Sequence, residues 1–78
     1  MPENPNKILA DNLRALRTER GWSQEDLADK CGLHRTYIGA IERGERNVTL
    51  ATLNRIASAF GTSSAELISE SRRAKNPK

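Results

Sequence analysis

The chain has 78 residues, 13 basic against 10 acidic, one Cys and one His, and a formal net charge of +3. That length predicts one domain with a small core; it has no internal disulfide, no zinc cluster, no apolar run near the ~18 residues of a membrane span, and no apolar secretory stretch in "MPENPNKILA". A cytoplasmic protein without metal or cofactor is expected, its positive excess favouring an acidic partner without choosing among nucleic acid, membrane surface and protein.

Residues 1–6 read as a flexible polar arm with two prolines, Asn6 being a candidate helix cap. Ile8, Leu9, Leu13 and Leu16 fall on one face of a first helix that reaches Arg20, with Gly21 suited to a left-handed C-terminal turn. Ser23 and Asp26, three apart, make a capping box for a short second helix in which Leu27 and Ala28 point inward and which Gly32 ends. A third helix is predicted over about residues 35–43, with Ile38 and Ile41 as its apolar pair and Gly44 after it. Thr49 caps a fourth helix carrying the stripe Leu50, Leu53, Ile56, Ala57 and Phe60 before Gly61. Ser63 and Glu66 form a second capping box for a short fifth helix with Leu67 and Ile68. Residues 70–78 read as a flexible polar tail, leaving 7–69 as the folded unit. No strand pattern competes, so the fold class is all-α: a compact five-helix domain.

The stretch "HRTYIGAIERGERN", residues 34–47, poses the functional question. Gly39 costs roughly 1 kcal/mol of helix stability against Ala, in a chain with little to give away. Ala28, Gly32, Ile38 and Ile41 hold the positions a helix-turn-helix needs: a small residue at the crossing, Gly in the turn, and two apolar residues locking the second motif helix. Opposite Ile38 and Ile41, the helical wheel places Arg35, Thr36, Gly39, Ala40 and Arg43 on one face. Small residues flanked by cations would admit this helix to a major groove about 12 Å wide. Catalysis has no support, since neither paired catalytic groups nor a phosphate loop is present. RNA binding is disfavoured because Trp22, Tyr37 and Phe60 are the only aromatics and form no stacking platform in sequence.

The run "SQEDLADKCGLHRTYIGAIERGERNVTLATLNRIASAFG" resembles the Xre family of phage-repressor and Cro-type helix-turn-helix proteins, the likeness extending over residues 8–69. Its core, "RTYI-x-x-IER-x-x-RN", is most similar to controller proteins of restriction–modification systems. The resemblance implies a lambda-repressor-like domain acting as a homodimer on a pseudo-palindromic operator of double-stranded DNA, both activating and repressing. It implies base reading by Arg35 and Thr36, and backbone contacts by Gln24, Tyr37, Arg43, Arg46 and Asn47. Arg17 and Glu42 match a structural ion pair bracing the reading helix. Glu25 and Asp29 match acidic positions that touch the sigma subunit of RNA polymerase in activating repressors. Dimerisation is expected through the fourth and fifth helices, in the Leu53–Ile68 region. The alternative is an antitoxin of the same fold that binds a toxin protein and autoregulates its operon, for which residues 70–78 look short and polar.

Overall fold

The computed structural model describes residues 4–70, so of the arm read at 1–6 residues 1–3, and of the tail read at 70–78 residues 71–78, lie outside the described residues. Five helices follow in order: α1 (Pro5–Glu19), α2 (Gln24–Cys31), α3 (Arg35–Glu42), α4 (Leu50–Phe60) and α5 (Ser64–Leu67). The all-α architecture is as expected, and no strand occurs among the described residues.

Helix α1 starts earlier than the apolar periodicity suggests. Asn4, not Asn6, is its cap, accepting the Asn6 amide N–H at 2.8 Å, and Pro5 occupies the first helical turn. Pro is favourable there because its preset φ is helical and its missing N–H would have had no intrahelical partner. Residues 5 and 6 therefore belong to the helix rather than to an arm.

The other boundaries follow local chemistry. Ser23 and Asp26 form the reciprocal capping box at α2. Thr49 caps α4, and Gly32 and Gly61 end α2 and α4 in left-handed geometry. At α5 only half of the expected box forms: the Ser63 hydroxyl accepts from the Glu66 N–H.

The core gathers one face of each helix: Leu9, Leu13 and Leu16 from α1, Leu27 and Ala28 from α2, and Ile38 and Ile41 from α3. Leu53, Ile56 and Phe60 of α4 and Leu67 of α5 close it. Each large side chain removed from water contributes about 1.5–3 kcal/mol. Asn12 sits inside the α1 stripe and is buried, donating to the carbonyls of Leu67 (2.8 Å) and Ser69 (3.2 Å). It ties α1 to the end of α5 by satisfying backbone acceptors that a short helix leaves open. Trp22 stacks on Phe60 at 5.4 Å, while Arg20 lies against both rings and donates to the Phe60 carbonyl.

This packing narrows what the expected dimer region can offer a partner. Leu53, Ile56, Ala57, Phe60 and Leu67 are buried within the protomer, so the α4 stripe is not free for a partner. The exposed large apolar residues of this region are Leu50, 70% exposed, and Ile68, 45% exposed.

Candidate nucleic-acid interface

The α2–α3 turn is held from both sides. Gly32 adopts φ +71°, and a Cβ there would stand 2.7 Å from the Arg55 Nη2 atom. The same guanidinium of α4 donates to the Gly32 carbonyl at 3.1 Å. Gly is required here by the backbone angle, and its missing Cβ lets the Arg55 guanidinium approach. Leu33 N–H closes the turn onto the Ala28 carbonyl at 2.9 Å.

Helix α3 begins with His34 as its cap. The imidazole Nδ1 accepts the Thr36 N–H at 3.1 Å, the job that Ser, Thr or Asp performs at most helix starts. Arg35 and Thr36 follow, both exposed, with Tyr37 half-buried behind them. Arg46 crosses back from the α3–α4 loop, its guanidinium 4.8 Å from the Tyr37 ring centre. Leu33, His34, Thr36, Tyr37, Ala40 and Arg46 line a shallow groove of about 690 Å³ along this face.

Gly39 does not share that face, contrary to the helical-wheel reading. It is buried, and a Cβ there would meet Arg43 Nη1 and Gln24 Oε1, each at 3.3 Å. Gln24, the first residue of α2, and Arg43 fold over it. Gly39 makes room for these side chains rather than for an approaching surface, and Ala40 remains the small residue on the open side.

At the far end of α3 the carboxylate of Glu42 is buried. Arg17 engages it twice, Nε to Oε2 at 2.6 Å and Nη2 to Oε1 at 3.0 Å, and also donates to the Trp22 carbonyl at 2.7 Å. Gln24 Nε2 donates to Oε1 at 3.0 Å. Arg14 donates to the Glu42 backbone carbonyl at 2.8 Å, its Nε 3.9 Å from Oε1. An acid at the C-terminal end of a helix opposes the helix dipole; here two guanidiniums and an amide offset it. The hydrogen bond to Glu42 raises the Arg17 pKa above its ordinary value despite the opposing effect of burial. These contacts join α1, α2 and α3 at one point.

The remaining site residues lie around this frame. Gln24 has its donor engaged by Glu42, which fits a bracing role for its side chain. In the α3–α4 loop, Arg43 pairs with Glu45 at 3.1 Å, both exposed. Asn47 Oδ1 accepts from Asn6 Nδ2 at 2.7 Å. Glu25 and Asp29 are exposed on α2 and share a small recess with His34 and Arg35. Cys31 is buried, and desolvation pushes its thiol pKa up, toward an inert packing residue. Among the described residues no His, Cys, Asp and Glu cluster could hold a metal, and no helix is long and apolar enough to cross a membrane.

Sequence reasoning missed Asn6, Arg14, Glu45 and Arg55 as parts of this region. The run of charges gave a signal for Arg14 and Glu45; the contacts of Asn6 and Arg55 reach 41 and 23 residues along the chain and leave none.

Two short helices crossing at a glycine turn, the second with an exposed polar face, define a helix-turn-helix protein. Residues 13–67 match the family described as HTH_3, helix-turn-helix, and the chain belongs to it. Within that family it is similar to control protein C.SmaI of Serratia marcescens, 55% identical over 62 residues covering 80% of this chain and 74% of that protein. The crystal structure of the hypothetical transcription factor NHTF from Neisseria has a TM-score of 0.85 at 38% identity, covering 96% of this chain and 90% of that one. The restriction–modification controller protein C.Esp1396I, as a tetramer in complex with its natural 35 base-pair operator, has a TM-score of 0.78 at 32% identity, covering 96% of each chain.

Proposed function

We propose that the protein is a sequence-specific DNA-binding transcription regulator of the controller type, working in the cytoplasm as a homodimer on a pseudo-palindromic operator. The observation that carries this reading is the exposed start of α3, Arg35 and Thr36, set on a helix whose other end is locked by Glu42. The similarity to control proteins, one of them solved on its operator, supports it.

Each protomer places α3 in the major groove of one half-site. Arg35 reaches a guanine through its paired donors, and Thr36 contacts the adjacent base. Arg43, Arg46 and Asn47 hold phosphates beside the groove, with Tyr37 keeping Arg46 in place from below. These contacts supply much of the affinity and make it fall with salt. Gln24 supports the interface by spanning α2 and α3. Leu50 and Ile68 supply the exposed apolar surface for pairing two protomers.

Glu25 and Asp29 face outward on α2, on the side of the motif away from the core. They form the contact through which a dimer bound just upstream of a promoter recruits the sigma subunit of RNA polymerase. A dimer overlapping the core promoter blocks polymerase instead, so one protein both activates and represses.

Footprinting on the DNA upstream of its own gene tests this function. Protection of two symmetric half-sites, with two chains per site by sedimentation, is the expected result. Uniform protection without sequence preference, or one chain per site, would refute it. Replacing Glu25→Gln and Asp29→Asn together is expected to leave operator binding intact and remove activation; unchanged activation eliminates the acidic contact.

A further inference from the structure

Phosphate oxygens only accept hydrogen bonds, whereas a carboxamide carries one donor group and one acceptor. Whether Asn47 can hold a phosphate therefore depends on which end of its amide faces outward. The α3–α4 loop around it, residues 43–49, contains no helix or strand that would fix the side chain. What fixes it is Asn6, whose Nδ2 donates to Asn47 Oδ1 at 2.7 Å. Asn47 Oδ1 is thereby engaged by α1, and the Nδ2 at the other end of the amide is the group left to donate elsewhere.

Asn6 is itself held. Its backbone N–H is bound by the Asn4 cap at 2.8 Å, and Pro5 fixes the chain one residue before it. The α1 start and the loop are neighbours over a wider area: Asn4, Lys7, Arg14, Arg43 and Gly44 share one cleft. The bond is exposed at the surface, so it adds little to folding. Its chemical consequence is the direction of the Asn47 amide.

We infer that Asn6 is a positioning residue for DNA binding: it orients the Asn47 carboxamide so that Nδ2 meets a phosphate of the operator backbone. The first turn of α1 thus acts in the interface without touching DNA through this side chain. This inference rests on the DNA-binding reading above and deepens it.

The test is a double-mutant cycle with Asn6→Ala, Asn47→Ala and the pair, measuring affinity for a duplex carrying the protected upstream sequence, with thermal unfolding of each protein. Asn6→Ala is expected to weaken binding about threefold to tenfold in the parent and to have no further effect with Asn47→Ala, while melting moves little. Asn6→Asp offers only acceptors and forces the Asn47 amide to turn. It should weaken binding more in the parent than in the Asn47→Ala background, where only its charge acts. Equal losses from Asn6→Ala in both backgrounds, no loss from either single substitution, or a loss that tracks a fall in melting temperature would overturn the proposal. Failure of the parent to prefer this duplex over random DNA would overturn the DNA-binding reading itself and this inference with it.

Discussion

The two ends of α3, eight residues apart at most, are built on opposite terms. At the C-terminal end Glu42 is 3% exposed and every approach to its carboxylate is filled by Arg17, Gln24 or Arg14. At the N-terminal end Arg35 and Thr36 stand in solvent, and the side-chain cap is one hydrogen bond, donated by the Thr36 amide to His34. The contrast shows how a short helix can be presented to a partner. One end is anchored by charge and burial, which frees the other to carry polar groups that the fold does not use.

The largest effect should come from the anchored end. Glu42→Ala leaves the Arg17 guanidinium nearly buried and without its partner. A loss of about 3–5 kcal/mol in chemical denaturation is expected. Replacing Arg17 and Glu42 together by apolar residues should lose less than the sum of the single changes. Additive losses would mean that the pair does not couple, and the anchoring account would fall.

At the open end the expectation reverses. Arg35→Ala should leave stability unchanged, since its side chain is exposed, and weaken operator binding by about 1–3 kcal/mol with relaxed preference at one position per half-site. Equal losses on operator and random DNA would reduce Arg35 to a backbone contact.

The contrast between the ends was partly legible in the sequence. Ser23, Thr49, Gly32 and Gly61 mark their boundaries because capping is local chemistry, readable within four residues. Asn12 could have been found: it falls three residues after Leu9 and four before Leu16, on the buried stripe. Gly39 was misread because a helical wheel knows its own helix and nothing of Gln24, which arrives from α2 to cover it. The α4 stripe was legible as an apolar face, and the protomer's own core uses it; periodicity does not say which part of α4 and α5 is left for a partner. The Asn6–Asn47 contact has no local signature at all.

His34 sharpens the comparison from the weaker side. Its imidazole can cap α3 only while Nδ1 carries no proton. His34→Ala should destabilise the fold by about 0.5–1 kcal/mol, and His34→Asp should restore that stability in thermal unfolding. If both substitutions are silent, α3 needs no cap and is held wholly from its Glu42 end.

The smallest effect lies at the start of α2. Hydrogen bonds from the Ser23 backbone and side chain hold the Asp26 carboxyl below its ordinary value of 3.8. A folded pKa below the unfolded one means the contribution is fully present above the unfolded value and is lost as pH falls through the folded one. The melting difference between parent and Asp26→Ala should therefore be greatest near neutrality and shrink in acid. A difference that grows in acid would contradict the assigned bond.

Residue-resolved amide hydrogen exchange along α3, with and without operator DNA, tests the unequal ends most directly. The account predicts that amides near Ile41 and Glu42 exchange only by global unfolding in the free protein, and that those of Arg35 to Tyr37 open locally and become protected on the operator. Uniform protection along α3 in the free protein, or operator protection confined to its C-terminal end, would contradict it.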